Sequence, residues 1–225
     1  MGNRAIIKPI DKNIGIYLHW NGGRDSVEGF LKYCEIKEYR GLGSDTGYGL
    51  ARLCQVIGNF FGGSTSLGIV SCMGTIQDAK MIDNGIYVVK DWKIVDRVWC
   101  NGKLSTGCKH AEQYEYDLQD MLEAIDQEQP EAEQLGIGYL RSELVPVSSL
   151  KIGDCVYVKD GVDGKVETKM VIGVGRDHFV NGINVNGIPY VDKYCGIYND
   201  YASNINNYIL NDTVRICSKH NLKED

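Results

Sequence analysis

Between Ile14 and Cys34 the apolar residues change their spacing once, and that change limits what the chain can fold into. The run Ile14-Gly15-Ile16-Tyr17-Leu18-His19-Trp20 reads as a strand, and Gly22-Gly23 follow. From Asp25 to about Glu38 the apolar residues Val27, Phe30, Leu31 and Cys34 then recur at three-to-four spacing, which is the period of an amphipathic helix. A strand that turns through two glycines into a helix must pack the helix back on a sheet. Such a join is also where ligands are held.

The chemistry at this join is dense. Glycines allow positive φ and close approach of the main chain, and the first N–H groups of a helix lack intrahelical partners. An anion is the expected guest. Asp25 or Ser26 is placed to cap the helix, with Glu28 three residues after Asp25 in a capping-box arrangement. Arg24 adds a charge suited to phosphate or carboxylate. His19 adds a titratable group, Trp20 a stacking surface, and Tyr17 and Asn21 flank them. An ordinary strand–helix turn, with Trp20 in the core and His19 satisfied internally, is the competing account. The next helix supplies Asp45 at its start and, along it, Arg52 and Gln55, these two either solvent-facing or turned toward the same cleft as Arg24. The candidate ligand-binding set is therefore Tyr17, His19, Trp20, Asn21, Gly22, Gly23, Arg24, Asp25, Asp45 and Arg52.

Charge narrows the guest. With 24 Lys and Arg against 30 Asp and Glu the chain carries −6, and duplex nucleic acid needs a basic face to displace counterions. No duplex partner is expected. One or two arginines in a pocket can still hold a small anion whatever the overall balance. Hydrophobic residues make up 43% of the 225, enough for a core. No stretch approaches ~18 uninterrupted apolar residues, and Met1-Gly2-Asn3-Arg4-Ala5-Ile6 is not a signal core. Ile6 stands where a myristoylation motif wants Ser or Thr. A cytoplasmic protein with no membrane partner is expected.

Eight cysteines are scattered without any C-x-x-C pair, and several sit inside apolar patterns, as Cys54 does, which is how reduced cysteine behaves. Cys100, Cys108 and His110 come nearest to a metal set, but their spacing matches no zinc knuckle. Neither a metal nor a cofactor is expected.

The organisation reads as α+β. Strands are expected at Arg4–Ile10 and Ile14–Trp20 as a hairpin, then at Leu67–Ser71, Gly85–Lys90 and Trp92–Trp99, the last two joined by a tight turn at Asp91. A second helix is expected from Asp45 to Phe61, with Leu50, Leu53, Cys54, Ile57 and Phe60/Phe61 buried and Gly62-Gly63 as the stop. A third runs from Asp117 to Gln127, ahead of Pro130. The expected organisation is thus an N-terminal antiparallel sheet with two or three helices (1–128), an acidic linker (129–143), and a small β-rich domain (144–225). Strands at Asp154–Lys159, Glu167–Val174 and Thr213–Cys217 suggest a small barrel or sandwich, and the phrase Val147–Tyr157 resembles the entry strand of SH3-like barrels.

The stretch Tyr17-Leu18-His19-Trp20-Asn21-Gly22-Gly23 resembles the His-Trp-Asp-Gly or His-Trp-Asn-Gly signature of a large, mostly uncharacterised group of phage and prophage proteins. Tyr48 to Gly63 and Asn84 to Val89 resemble the same group. Asn21 stands where Asp is commoner. The resemblance implies a phage protein acting in the cytoplasm of a bacterial host, and it implies no particular chemistry.

Together these readings point to an anti-defence protein that sequesters a small anionic nucleotide signal, of the cyclic oligonucleotide or cyclic ADP-ribose type, without cleaving it. A base would stack on the aromatic ring, phosphate would meet Arg24 and helix N–H groups, and Asp25 or Asp45 would accept from ribose. The first alternative is a nucleotide or phosphoester hydrolase with His19 as general base, oriented by Asp25 or Asp45. Walker A, H-E-x-x-H and G-x-S-x-G are all absent, and His178 breaks the G-x-G-x-x-G that Gly173-Val174-Gly175 begins, so the reading leans away from an enzyme. The second alternative is a protein-binding inhibitor of a host effector. Whether the chain forms a homo-oligomer is left open.

Overall fold

The computed structural model describes residues 2–43, 47–63, 66–72, 82–98, 117–146, 149–150, 154–159, 166–170 and 213–218. Ala5–Pro9 (β1) and Ile14–Leu18 (β2) form the expected hairpin, with Ala5 opposite Leu18 and Ile7 opposite Ile16. Helix α1 covers Arg24–Ile36 and helix α2 Tyr48–Phe60. Strand β3 is Leu67–Ser71, β4 is Ile86–Lys90, β5 is Lys93–Val98, and helix α3 is Leu118–Gln127. These strands make one mixed five-stranded sheet in the order β3-β2-β1-β4-β5.

The expectation of an antiparallel sheet fails at one pairing. β1 runs parallel to β4, with Ile6 beside Ile86 and Pro9 beside Val89. A parallel neighbour needs a long crossover, and α1, α2 and β3 lie between the two strands in the chain. A trace of this was present in Ile86-Tyr87-Val88-Val89, buried at all four positions, since strands covered on both faces read as continuous apolar runs.

Alternation along the strands separates the two faces. On one, Ala5, Ile7, Ile16, Leu18, Tyr87 and Val89 are fully buried, and α2 comes close to this face at Gly58, where an added Cβ would lie 3.8 Å from Leu67. On the other, Ile6, Ile82 and Ile86 form a smaller core with Tyr17, Val70, Cys72 and Val98 packed against it. The β4–β5 turn places Asp91 at φ 53, a conformation that Asp tolerates better than most residues.

Helix ends follow recognisable chemistry. Asp117 caps α3 by accepting from the N–H groups of Gln119 at 2.8 Å and Asp120 at 3.4 Å. Helix α2 is followed by Gly62 at φ 61 and Gly63 at φ 78, the left-handed geometry for which glycine is the usual stop. Leu50, Leu53 and Ile57 are buried as expected, Val56 joins them, and Phe60 and Phe61 pack their rings edge-on and tilted around Phe30.

Polar ties lock α3 across α1 and α2. Tyr33 Oη donates to Asp126 Oδ1 at 2.7 Å. Gln129 Nε2 donates to the carbonyls of Ile125 and Val56, while its own Oε1 accepts from Asn59 Nδ2 at 2.9 Å. Burial drives the Tyr33 phenol well above its ordinary pKa, with the hydrogen bond to Asp126 acting in the same direction. Burial also pushes the Cys34 thiol upward.

The chain divides into two compact units, Met1–Glu131 and Ala132–Asp225. A 3-10 turn at Glu131–Glu133 and a short helix α4, Ile137–Arg141, occupy part of 129–143. Within the second unit, β6 (Glu143–Pro146), β7 (Cys155–Lys159), β8 (Val166–Met170) and β9 (Thr213–Ser218) form a four-stranded antiparallel sheet in the order β6-β9-β7-β8. Arg215 ties α4 to it, lying over the Tyr139 ring at 4.9 Å and donating to Ser142 O at 2.8 Å. Among the described residues this sheet does not close into a barrel. Residues 171–174 of the second expected strand, Glu167–Val174, lie outside them.

No helix among the described residues is long and apolar enough to cross a membrane.

Candidate ligand site

The turn between β2 and α1 carries most of the expected site residues. Tyr17 Oη and His19 Nδ1 are hydrogen-bonded at 3.0 Å, and the two rings stand edge-on with centroids 6.2 Å apart at 65°. Trp20 stands edge-on to His19, with ring centroids 5.0 Å apart at 80°. Its side chain is not part of the core: Trp20 is 44% exposed. With Nδ1 held by the phenol, Nε2 is the imidazole nitrogen left to meet an outside group. The three rings form a stepped aromatic shelf.

Backbone geometry explains the next residues. Asn21 sits at φ 53, where Asn and Asp are enriched among side-chain-bearing residues, and its Nδ2 donates to Ser26 Oγ at 3.4 Å, across the turn. Gly22 is required by the chain itself. A Cβ there would lie 2.5 Å from Asn3 O and 2.7 Å from Ala5 N. The residues around it are cross-bonded instead: Gly22 N donates to Asn3 O at 2.8 Å and Asn3 N donates to His19 O at 3.1 Å. The close approach expected for a ligand at Gly22 is thus taken by the segment leading into β1.

Two local expectations need correction. Helix α1 starts at Arg24, with Gly23 as N-cap at φ −65, ψ 158, and no side chain caps it, so neither Asp25 nor Ser26 is the N-cap. The reason is the extended conformation already reached at Gly23, which places Asp25 inside the first turn. There a carboxylate still favours the positive end of the helix, and among the described residues Asp25 Oδ1 is buried with no hydrogen-bond partner. The capping box does not form either, because Glu28 is engaged by Arg24. Arg24 Nε donates to Glu28 Oε1 at 2.6 Å, one helical turn on.

Magnitudes decide how much that pairing matters. A helical i,i+4 pair of this kind, here only part-buried, is worth about 0.3–0.5 kcal/mol, whereas a hydrogen bond to a charged partner is worth roughly 1.5–3 kcal/mol. A phosphate can recruit Arg24 from Glu28 at small cost.

Arg52 is elsewhere. Its guanidinium lies over the Tyr39 ring at 5.6 Å and donates to Gln55 Oε1 at 2.6 Å. Tyr39 follows the C-terminal end of α1, and a helix of 13 residues is about 20 Å long at 1.5 Å per residue. The structure therefore places Arg52 at the opposite end of α1 from Trp20 and Arg24. Asp45 lies outside the described residues, as do Cys100, Cys108 and His110. Around Arg52 the structure gathers residues that sequence spacing did not group: Tyr39 and Tyr48, with Arg40 over the Tyr48 ring at 5.3 Å and Trp92 Nε1 donating to Tyr39 O at 3.0 Å. Only the tertiary packing of α2 against the end of α1 brings them together.

No protein-family model, curated protein or solved structure matches this chain.

Proposed function

We propose that this protein binds a small anionic nucleotide at the Tyr17–His19–Trp20 shelf and holds it unchanged, as a phage-encoded sponge for a cyclic nucleotide signal of host immunity. The observation that carries the reading is the solvent-open Trp20 ring beside a tyrosine-held imidazole, immediately before a helix whose N-terminus no side chain caps. A base stacks on the indole, and phosphate is met by His19 Nε2, the N–H groups opening α1 and Arg24. The resemblance of Tyr17–Gly23, Tyr48–Gly63 and Asn84–Val89 to phage and prophage proteins supplies the setting. That link is analogy.

Binding is favoured over hydrolysis by one contact. A histidine general base is usually oriented by a carboxylate, and here the Nδ1 partner is the Tyr17 phenol.

The test is to mix the purified chain with a panel of cyclic oligonucleotides and cyclic ADP-ribose isomers, denature it by heat and analyse the supernatant. Recovery of intact ligand supports the sponge. Recovery of a cleaved product overturns it in favour of a hydrolase. Retention of nothing in the panel leaves the protein-binding inhibitor, acting through an SH3-like domain at 144–225, as the reading to pursue.

A further inference from the structure

Arg4 spends one edge of its guanidinium on Asp83 and keeps the other. Nε and Nη2 donate to the two carboxylate oxygens at 3.0 Å, and the Arg4 backbone N–H donates to the same group. A guanidinium carries its N–H donors in a rigid planar fork with more than one usable edge. Among the described residues nothing accepts from Nη1. The side chain is 26% exposed, so an outside group can reach it, and the Asp83 bonds hold the unused edge in one orientation.

The same residue stands beside the aromatic shelf. Ala5 pairs with Leu18 and Ile6 with Tyr17, and one further step in that register sets Arg4 against His19. Arg4 O accepts from Asn84 N on the β4 side, and His19 N donates to Ser66 O on the β3 side. Both groups turn away from the β1–β2 gap, as in a non-bonded pair, where side chains come closest. Alternation puts Arg4 on the face that carries Ile6, Tyr17 and His19. Its stem is near His19: a Cβ built on Gly2 would lie 3.1 Å from both Arg4 Cγ and His19 O. The bonds to Asp83, and less strongly the nearby Tyr17 phenol, raise the guanidinium pKa.

Building on the nucleotide reading above, we infer that Arg4 is a phosphate ligand of the shelf, its Nη1–Nη2 edge and His19 Nε2 holding the same phosphate. With the Tyr17 phenol donating to Nδ1, the imidazole carries its proton on Nε2 and is a donor there. The planar edge of Arg4 meets two oxygens of one phosphate, a geometry that a point charge does not offer. Arg24 has to leave Glu28 to bind, whereas Arg4 binds with its Asp83 bonds intact, so less side-chain freedom is lost on binding. Asp83 offsets part of the Arg4 charge, and recognition therefore rests on directed hydrogen bonds more than on net charge, as suits a chain carrying −6.

Inorganic phosphate is the probe, titrated at constant ionic strength while proton–nitrogen NMR follows the His19 imidazole, whose signals are identified by their loss in His19→Gln. In the parent these signals are expected to move and saturate. Arg4→Gln is expected to weaken phosphate binding about tenfold or more, as loss of a charged hydrogen bond predicts. Arg4→Lys can keep a pair with Asp83 but has no second edge; it is expected to bind nearly as weakly and carries the test if Arg4→Gln fails to fold. A parent whose His19 signals ignore phosphate, or an Arg4→Lys that binds phosphate as the parent does, overturns the inference. The nucleotide reading is scored separately by retention of the cyclic nucleotide panel. Parental retention by Arg4→Lys keeps the sponge and removes Arg4 from it, while phosphate held through Arg4 with no nucleotide retained keeps Arg4 and removes the sponge.

Discussion

Tyr33 Oη donates to Asp126 Oδ1 over 2.7 Å in the buried seam between α1 and α3. Removing the phenol with Tyr33→Phe leaves the carboxylate one donor poorer in a place water does not reach, a loss of about 1–3 kcal/mol. Urea denaturation of the two proteins measures it. The same contact sets an alkaline limit. The unfolded phenol ionises near its ordinary value of 10.0, while burial and Asp126 hold the folded phenol neutral well above it. The stabilisation is complete below pH 10 and is lost as the pH climbs past it. The gap between parent and variant is expected to shrink on the alkaline side.

An acidic limit comes from the strap over β1. The Arg4 side chain, Nε and Nη2, and the Arg4 backbone N–H all donate to Asp83 at 3.0 Å, and these bonds hold the Asp83 carboxyl down to about 2, against an ordinary 3.8. A lowered carboxyl pKa stabilises the fold above pH 3.8 and ceases to do so as the pH falls through 2. Denaturant midpoints of the parent and Asp83→Asn are expected to differ at neutral pH and converge across that interval. Parallel curves throughout would show the strap to be energetically silent.

Trp20→Ala tests the shelf. The ring contributes little to the core, so thermal stability is expected to change only slightly, whereas loss of a stacking surface costs about 1–3 kcal/mol per base, roughly a five- to hundredfold drop in affinity. Titration calorimetry with whichever cyclic nucleotide the parent retains reads this directly. Unchanged affinity would remove Trp20 from the site.

Arg24→Ala separates charge from fold. Losing the Glu28 pair costs under ~0.5 kcal/mol of stability, and losing a charged hydrogen bond to phosphate costs roughly 1.5–3 kcal/mol of binding. Arg24→Lys is expected to restore only part of the affinity, because an ammonium cannot reproduce the guanidinium fork. A variant that melts far below the parent would make Arg24 structural.

Gly22→Ala is expected to destabilise even though it adds a single methyl. That carbon would meet the Asn3 and Ala5 backbone at 2.5–2.7 Å, and overpacking of this kind typically costs about 1–3 kcal/mol. A thermal melt matching the parent would show that the segment before β1 yields freely.

Periodicity located the elements well because it reports which side of each is buried. The β1–β2 hairpin, the Asp91 turn and the bodies of α1, α2 and α3 lie where apolar spacing puts them, whereas the helix starts do not follow the expected caps: α1 opens at Gly23 and α2 at Gly47. The parallel β1–β4 pair is harder to read, since its sign is the continuous apolar run Ile86–Val89, which shows burial on both faces and not strand direction. The site divided for the same kind of reason. Residues near each other in sequence, Tyr17 to Asp25, stayed together, while Arg52 moved to the far end of α1 because helix packing, not local spacing, decides where α2 begins. Gly22 carried a signal with two physical meanings, close approach by a ligand or by the chain's own backbone, and composition cannot distinguish them.

The partnership of β1 with β4 orders events during synthesis. The β1–β2 hairpin can form as soon as Leu18 is made, but the neighbour on its other side begins at Ile86, and the Arg4–Asp83 strap spans a separation of 79 residues. Contacts so distant in sequence pay their loop-closure entropy before they return any stabilisation. Until Ile86 leaves the ribosome, the central strand of the finished sheet is an open edge, and the nascent chain is most prone to wrong pairing during that interval.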